Sequence, residues 1–230
     1  TRIITIDTGI DETHTDFPTN KINRRFSINL FGKTNTEKNN LQDVNGHGTH
    51  TAGTHSMIPN NQLFGSGISN ADEQVIIVAF DHQGQSKDEV VIAAIWWVVN
   101  TMEISRREKQ NFIGISSNSW TAYGEIPALR TAVLAHLDAG ITFVAAAGNG
   151  AQNNDKQYNN QGPWDIVPPS WANDPDFWGK PLIIVAGSDP KNQMYNFSNY
   201  GWQTTTTIAP AVAIRSIVPD KGELGATQKE

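Results

Sequence analysis

Five short apolar runs, residues 2–6, 75–80, 112–116, 141–146 and 182–186, are rich in Ile, Val or Phe and lack strict alternation with polar residues. A strand that is apolar on both faces belongs inside a parallel sheet covered by helices, because a sheet with one wet face would alternate. Residues 204–208 offer a sixth candidate. Helical patterns lie between the runs. Ser86 followed three residues later by Glu89 reads as a capping box opening a helix to about residue 103. Pro127 suits a first helical turn and Gly140 the left-handed position after a last one, which frames a second helix. Strands alternating with helical segments are the pattern of βαβ units stacked on a parallel sheet.

At 230 residues the chain suits one domain, with residues 151–181, rich in Pro, Trp, Asn and Asp, as an irregular surface excursion. The 17 Lys and Arg against 23 Asp and Glu leave a net charge of −6 with no basic stripe, so nucleic acid is not the expected partner. Residues 90–99 are the longest apolar stretch, well short of the roughly 18 residues that span a bilayer, and no membrane partner is expected. Without Cys there is no disulfide, no thiolate nucleophile and no Cys-ligated zinc. The first residue is Thr rather than Met, so the expectation is an N-terminus that has been processed, trimmed or lost.

The first run leads into Asp7-Thr8-Gly9-Ile10-Asp11, which puts a carboxylate at the carboxyl edge of the sheet, where open α/β folds gather ligands. In a simpler reading Asp7 only accepts turn amides ahead of Gly9. Asp-Thr-Gly also occurs in pepsin-like aspartic proteases, which need two facing carboxylates sharing a proton. With no second Asp-Thr-Gly or Asp-Ser-Gly in the chain, only a homodimer would supply the partner.

In Asn45-Gly46-His47-Gly48-Thr49-His50-Thr51-Ala52-Gly53-Thr54-His55, small residues let a helix pack closely and leave the imidazole of His47 exposed at its start. Around a helix, His50 and His55 fall at about −60° and +80° from His47, too wide for one tetrahedral zinc face. His50 and His55 are therefore expected in packing or at the surface. Residues 143–150 run from a strand into Gly148-Asn149-Gly150, so the Asn149 amide projects from the sheet edge, where its N–H can donate to an oxyanion or simply serve a tight turn.

Taken in order, the segment from Asp7 to Asp11 with His14-Thr15-Asp16-Phe17, the segment from His47 to Thr54, Ala146-Ala147-Gly148-Asn149, Phe197-Ser198-Asn199-Tyr200-Gly201 and Ile208-Ala209-Pro210 resemble the subtilisin family of serine endopeptidases. The resemblance covers essentially the whole chain, with one enlarged loop at 151–181. It implies that Asp7 orients His47, that His47 acts as general base and then acid, and that Asn149 helps to hold the oxyanion; subtilisin is the standard case of this Asp-then-His order. It also implies an α/β fold in three layers, a mostly parallel central sheet with helices on both faces, and no cofactor for catalysis.

The family carries its nucleophile in Gly-Thr-Ser-Met-Ala after the Ala-Pro matched by Ala209-Pro210, and no Gly-Thr-Ser occurs in these residues. The expectation is a single catalytic domain clipped at both ends, with the serine beyond Glu230: inactive as it stands, a serine endopeptidase as the full-length parent. Two alternatives remain: a pseudoprotease or peptide-binding module on the same fold, and, more distantly, the dimeric aspartic protease.

By the same resemblance, residues 80–86, with Gly84 and Gln85, and residues 117–124 form two edges that pair with an extended polypeptide substrate. Ser119, Trp120, Thr121, Ala146, Ala147 and Gly148 wall the first specificity pocket, although Ser119-Trp120-Thr121 departs from the family's usual Ser-Leu-Gly or Ser-Phe-Gly. In a simpler reading Trp120 is a packed aromatic. Asp16, Ile58, Asn60, Gln62 and Phe64 match the oxygen ligands of a structural calcium. Secretion, a pro-segment in the precursor and a monomeric state are further expectations of the resemblance.

Overall fold

The computed structural model describes residues 1–63, 65–110, 112–156 and 166–219. The chain divides into two compact units, Thr1–Ser116 with the segment that begins at Arg215, and Ser117–Ile214.

In the first unit, β1 (Arg2–Asp7) and β2 (Ile28–Asn29) both pair in parallel with β3 (Glu73–Val78). All six residues of β1 and the last five of β3 are buried, as unalternating Ile and Val runs require. The register Ile4↔Val75 and Asp7↔Val78 fixes which end of the pair carries Asp7. Among the described residues of this unit the α-helices are the single turn α1 (Asn35–Lys38), α2 (His47–Ser56) and α3 (Asp88–Arg107). α3 buries Val91, Ala94, Ile95, Val98, Thr101, Met102 and Ser105, one stripe at three- and four-residue spacing. Asp88 and Glu89 in its first turn and Arg106 and Arg107 in its last complement the helix dipole. A core of Ile10, Phe17, Ile22, Leu41, Ala52, Met57, Ile76, Val78 and Ile217 binds α2 to the strands.

The capping box expected at Ser86 and Glu89 is not formed. Lys87 caps α3 with no side-chain bond, and the Ser86 hydroxyl donates instead to the Ala79 carbonyl at 2.5 Å. The box appears at α1, where the Thr34 hydroxyl accepts from the Glu37 N–H and the Glu37 carboxylate from the Thr34 N–H.

β4 (Gly114–Asn118) carries the chain into the second unit. There β6 (Thr142–Ala146), β8 (Leu182–Ser188) and β9 (Thr207–Pro210) lie parallel in that order, with Ala145↔Ile184 and Ala186↔Ile208 in register. α4 (Pro127–Asp138) starts with Pro in its first turn, and Gly140 at φ +70° takes the left-handed position after it. β5 (Ala122–Tyr123) and β7 (Ile166–Val167) form a separate antiparallel pair.

The excursion at 151–181 is not wholly superficial, although residues 157–165 of it lie outside the described residues. Ile166, Val167, Trp171 and Phe177 are buried, Trp171 stacks on Phe177 at 5.5 Å, and Arg130 of α4 donates to Asp174 at 2.9 Å. Proline-rich 3-10 turns at Pro169–Asn173 and Pro175–Phe177 thus bury aromatic rings without helical or strand periodicity.

Two histidines are held in their neutral form. His55 sits between the Thr5 hydroxyl at 3.3 Å and the Ser56 hydroxyl at 2.7 Å, and burial pulls its pKa down to about 4. His136, packed edge-on to Phe143, is pulled by burial to about 3. In the unfolded chain both titrate near their ordinary value of about 6.5. Their contribution to stability is therefore complete above that pH and is lost as pH falls toward 4 and then 3, because the unfolded state takes up protons first. Melting temperature is expected to decline across that window, and less steeply in His136→Phe; an equally steep decline in the variant would remove His136 from the account.

Candidate active site

Asp7 closes β1 with its carboxylate buried at the carboxyl edge of the β1–β3 pair. It does accept a turn amide, from Thr8 N–H to Oδ1 at 2.8 Å, as the simpler reading of Asp-Thr-Gly has it. The same oxygen also meets Nδ1 of His47 at 2.7 Å, and the Thr51 hydroxyl donates to Oδ2 at 3.3 Å.

His47 is the first residue of α2, and its position follows from how the helix start is satisfied. The first N–H groups of a helix have no partner within it. Here the His47 N–H goes to Asn45 Oδ1 at 3.1 Å, the Gly48 N–H to the Thr8 hydroxyl at 2.8 Å and the Thr49 N–H to Asp43 Oδ2 at 2.9 Å. The Thr49 hydroxyl also donates to Asp43 and accepts from the Asp11 N–H at 3.0 Å, stitching the helix to the turn that follows β1. Gly48 permits the approach, since a Cβ there would stand 2.3 Å from the Gly9 carbonyl oxygen.

The result is an imidazole with one nitrogen fixed and the other accessible. The His47 side chain is 47% exposed and that of Asp7 only 5%, so the buried carboxylate holds Nδ1 and leaves Nε2 as the nitrogen open to a reacting group. The hydrogen bond that its Nδ1–H donates to Asp7 raises the His47 pKa above its ordinary value; burial opposes this, and the charges of Asp7 and Asp43 add to the rise. Such a ring can take a proton from a hydroxyl and stabilise the charge it gains.

Asp43, Thr8 and Thr49 were not singled out in the sequence. The available signal was an Asp shortly before a His-led helix, since acidic side chains favour helix starts. His50 and His55 lie further along α2, and among the described residues no three His, Asp or Glu side chains converge as a metal cluster would.

In the second unit, Asn149 follows β6 and is exposed. Its neighbours are tied to the segment 197–199: Gly150 N–H donates to the Phe197 carbonyl at 2.8 Å and Asn199 N–H to the Gly148 carbonyl at 2.8 Å. Ala147 is buried, Ala146 and Gly148 half-buried, and the Ala147 carbonyl accepts from the Asn154 amide at 2.9 Å. Trp120 is buried edge-on to Phe143 at 6.1 Å, between half-buried Ser119 and Thr121. In the first unit, Gly84 and Gln85 are exposed in a turn closed on Asp81, whose N–H donates to the Gln85 carbonyl at 2.9 Å.

Of the residues matched to a calcium site, Asp16 is buried, its carbonyl accepts the Ile58 N–H at 3.2 Å, and its Oδ2 has no partner among the described residues. Asn61, rather than the exposed Asn60, donates its amide to Asp16 Oδ1 at 2.7 Å. Asn60 and Gln62 both adopt left-handed backbone, and Phe64 lies outside the described residues.

A family model described as the subtilase family matches residues 2–220. A cuticle-degrading serine protease of Arthrobotrys oligospora is 30% identical over 220 residues, covering 94% of this chain and 44% of the relative. Subtilisin J of Geobacillus stearothermophilus is 28% identical over 226 residues, covering 98% and 50%. The chain spans about half the length of the curated relatives it matches. The crystal structure of a cold adapted subtilisin-like serine proteinase superposes with a TM-score of 0.71 at 22% identity, over 96% of this chain and 66% of that one. That likeness shows the fold, the three-layer α/β arrangement that the resemblance implied.

Proposed function

The chain belongs to the subtilase family, and from that premise we propose that the whole protein is a serine endopeptidase in which Asp7 and His47 activate a serine hydroxyl. The observation that carries this is the 2.7 Å contact between buried Asp7 and Nδ1 of a half-exposed imidazole. In the proposed cycle Nε2 of His47 removes the hydroxyl proton as oxygen attacks the peptide carbonyl. Asp7 holds the ring in the tautomer this requires, and the proton is returned to the departing amine as the acyl-enzyme forms. A second round with water releases the acid.

The nucleophile in this proposal is a serine outside these 230 residues, because none of them forms the family's Gly-Thr-Ser. Asn149 is proposed as an oxyanion donor; loss of one such donor costs about 10²–10³ in rate, a magnitude measured on subtilisin itself. The proposed substrate is an extended polypeptide, with the 80–86 and 117–124 segments as its edges and Ser119, Trp120, Thr121 and Ala146 to Gly148 near its first side chain. Calcium is proposed as a structural ion: the unpartnered, buried Asp16 Oδ2 suits a hard cation, with Ile58, Asn60 and Gln62 as further oxygen donors and its charge as the benefit to the loop.

The aspartic alternative is poorly supported by this site, since Asp7 is committed to Thr8, His47 and Thr51. A fluorophosphonate separates the remaining readings. Covalent labelling of a serine in the whole protein is expected, together with loss of peptide hydrolysis. A folded whole protein that takes no label would instead be a peptide-binding relative.

A further inference from the structure

We propose that Asp43 is a second positioning residue of the Asp7–His47 pair, fixing the start of α2 and offsetting with its buried charge the positive end of that helix at His47. The inference rests on the catalytic reading of His47 and goes beyond it.

The physical difficulty is His47's address. It is the first helical residue of a ten-residue α-helix. The N–H groups there, which have no partner within the helix, amount to roughly half a positive charge, and that disfavours a cation. A catalytic base must become a cation in the transition state, so this position works against its task. Asp7 answers from one side, through Nδ1. Asp43 answers from behind.

Asp43 is 1% exposed, and the contacts of its carboxylate point to this role. Its Oδ1 accepts the N–H groups of Asn45 at 3.0 Å and Gly46 at 2.9 Å, the two residues immediately before His47. Its Oδ2 accepts the Thr49 N–H at 2.9 Å and hydroxyl at 2.7 Å, two residues after it. Four donors converge on one carboxylate, so its negative charge is stabilised without a cationic partner among the described residues and remains available to the helix end. Its backbone N–H donates to the Ile10 carbonyl at 3.0 Å, anchoring the carboxylate to the turn beyond Asp7. Among the described residues, the charged groups acting on His47 are Asp7 from β1 and Asp43 from this segment, and both favour the protonated ring.

The test is imidazole titration by NMR in the whole protein, comparing wild type with Asp43→Asn and Asp43→Ser. Asn keeps the shape of the side chain, and Ser keeps a hydroxyl acceptor for a helix start, but neither carries charge. Thr49→Val serves as the control, losing a hydrogen bond to Asp43 while leaving the charge in place. In each folded charge-free variant, the His47 midpoint is expected to move down, and to do so in 1 M salt as well as in dilute buffer, because a buried charge is screened little. Thr49→Val is expected to lose stability with the midpoint unmoved. An unchanged midpoint in either charge-free variant, or an equal shift in Thr49→Val, would overturn the proposal. Because the readout is a titration, its failure is distinct from a failure to find peptidase activity.

Discussion

His47→Ala is expected to lower kcat for peptide hydrolysis by the whole protein about 10⁶-fold while leaving KM within a few-fold of wild type; that magnitude comes from subtilisin, a relative of this chain, and not from the geometry. The geometry supplies the reason. With Nδ1 held at 2.7 Å by Asp7, Nε2 is the one ring nitrogen left to accept a hydroxyl proton. Without it the nucleophile attacks as a neutral alcohol, which is a weak nucleophile. Binding of an extended peptide would rest on backbone pairing that does not involve the ring, so KM is spared. Stability should fall by no more than about 1–3 kcal/mol, since Asp7 keeps Thr8 and Thr51 as donors. The wild-type rate should rise with pH as His47 deprotonates, with its midpoint above the ordinary imidazole value because the Asp7 hydrogen bond favours the charged ring. Asp7→Asn should move that limb to lower pH. More than about 1% of wild-type kcat in His47→Ala would exclude His47 as the base, since general acid–base groups contribute at least about 10²-fold.

Asp7 and His47 were legible in the sequence because each sits where the chain changes element. Asp7 ends an apolar run whose strand character is unmistakable, and His47 opens a stretch so rich in Gly and Thr that only close helix packing explains it. The parallel strands were legible for the same reason, although β9 starts three residues later than the Thr-rich run suggested. Harder to read was anything set by a single side chain choosing among partners. The Ser86 hydroxyl had two uses open to it, and the Ala79 carbonyl won over the helix start. Nor does spacing reveal that Asn61 donates to Asp16 in a loop whose backbone is left-handed at Asn60 and Gln62. The burial of Trp171 and Phe177 was masked by a polar, proline-rich composition, since 3-10 turns carry no long apolar period. Asp43 was passed over because buried carboxylates are rare, and nothing in the sequence shows that four donors will converge on it.

The coupling between fold and site can be tested at Gly48. Gly48→Ala is expected to destabilise the protein by about 1–3 kcal/mol and to lower kcat by about 10²-fold. A Cβ at this position would lie 2.3 Å from the Gly9 carbonyl oxygen and 2.9 Å from the Gly9 nitrogen, backbone atoms of a turn already fixed by Asp7 and Thr8. Neither side can yield by a rotamer change, so α2 must shift away from β1 and carry His47 with it. A displacement of about 1 Å breaks the alignment of a proton transfer even while the hydrogen bond to Asp7 survives in lengthened form. Gly53→Ala, five residues along the same helix, provides the contrast. Its Cβ would meet Ile217 Cγ1 at 2.4 Å and Ser216 Oγ at 2.5 Å, side-chain atoms rather than the backbone of the turn after β1, and it lies more than a turn from the imidazole. That variant should lose stability yet keep kcat near wild type. Equal losses of kcat in the two variants would mean that the contact between α2 and the turn after β1 does not set the position of His47, and that general loosening of the helix does.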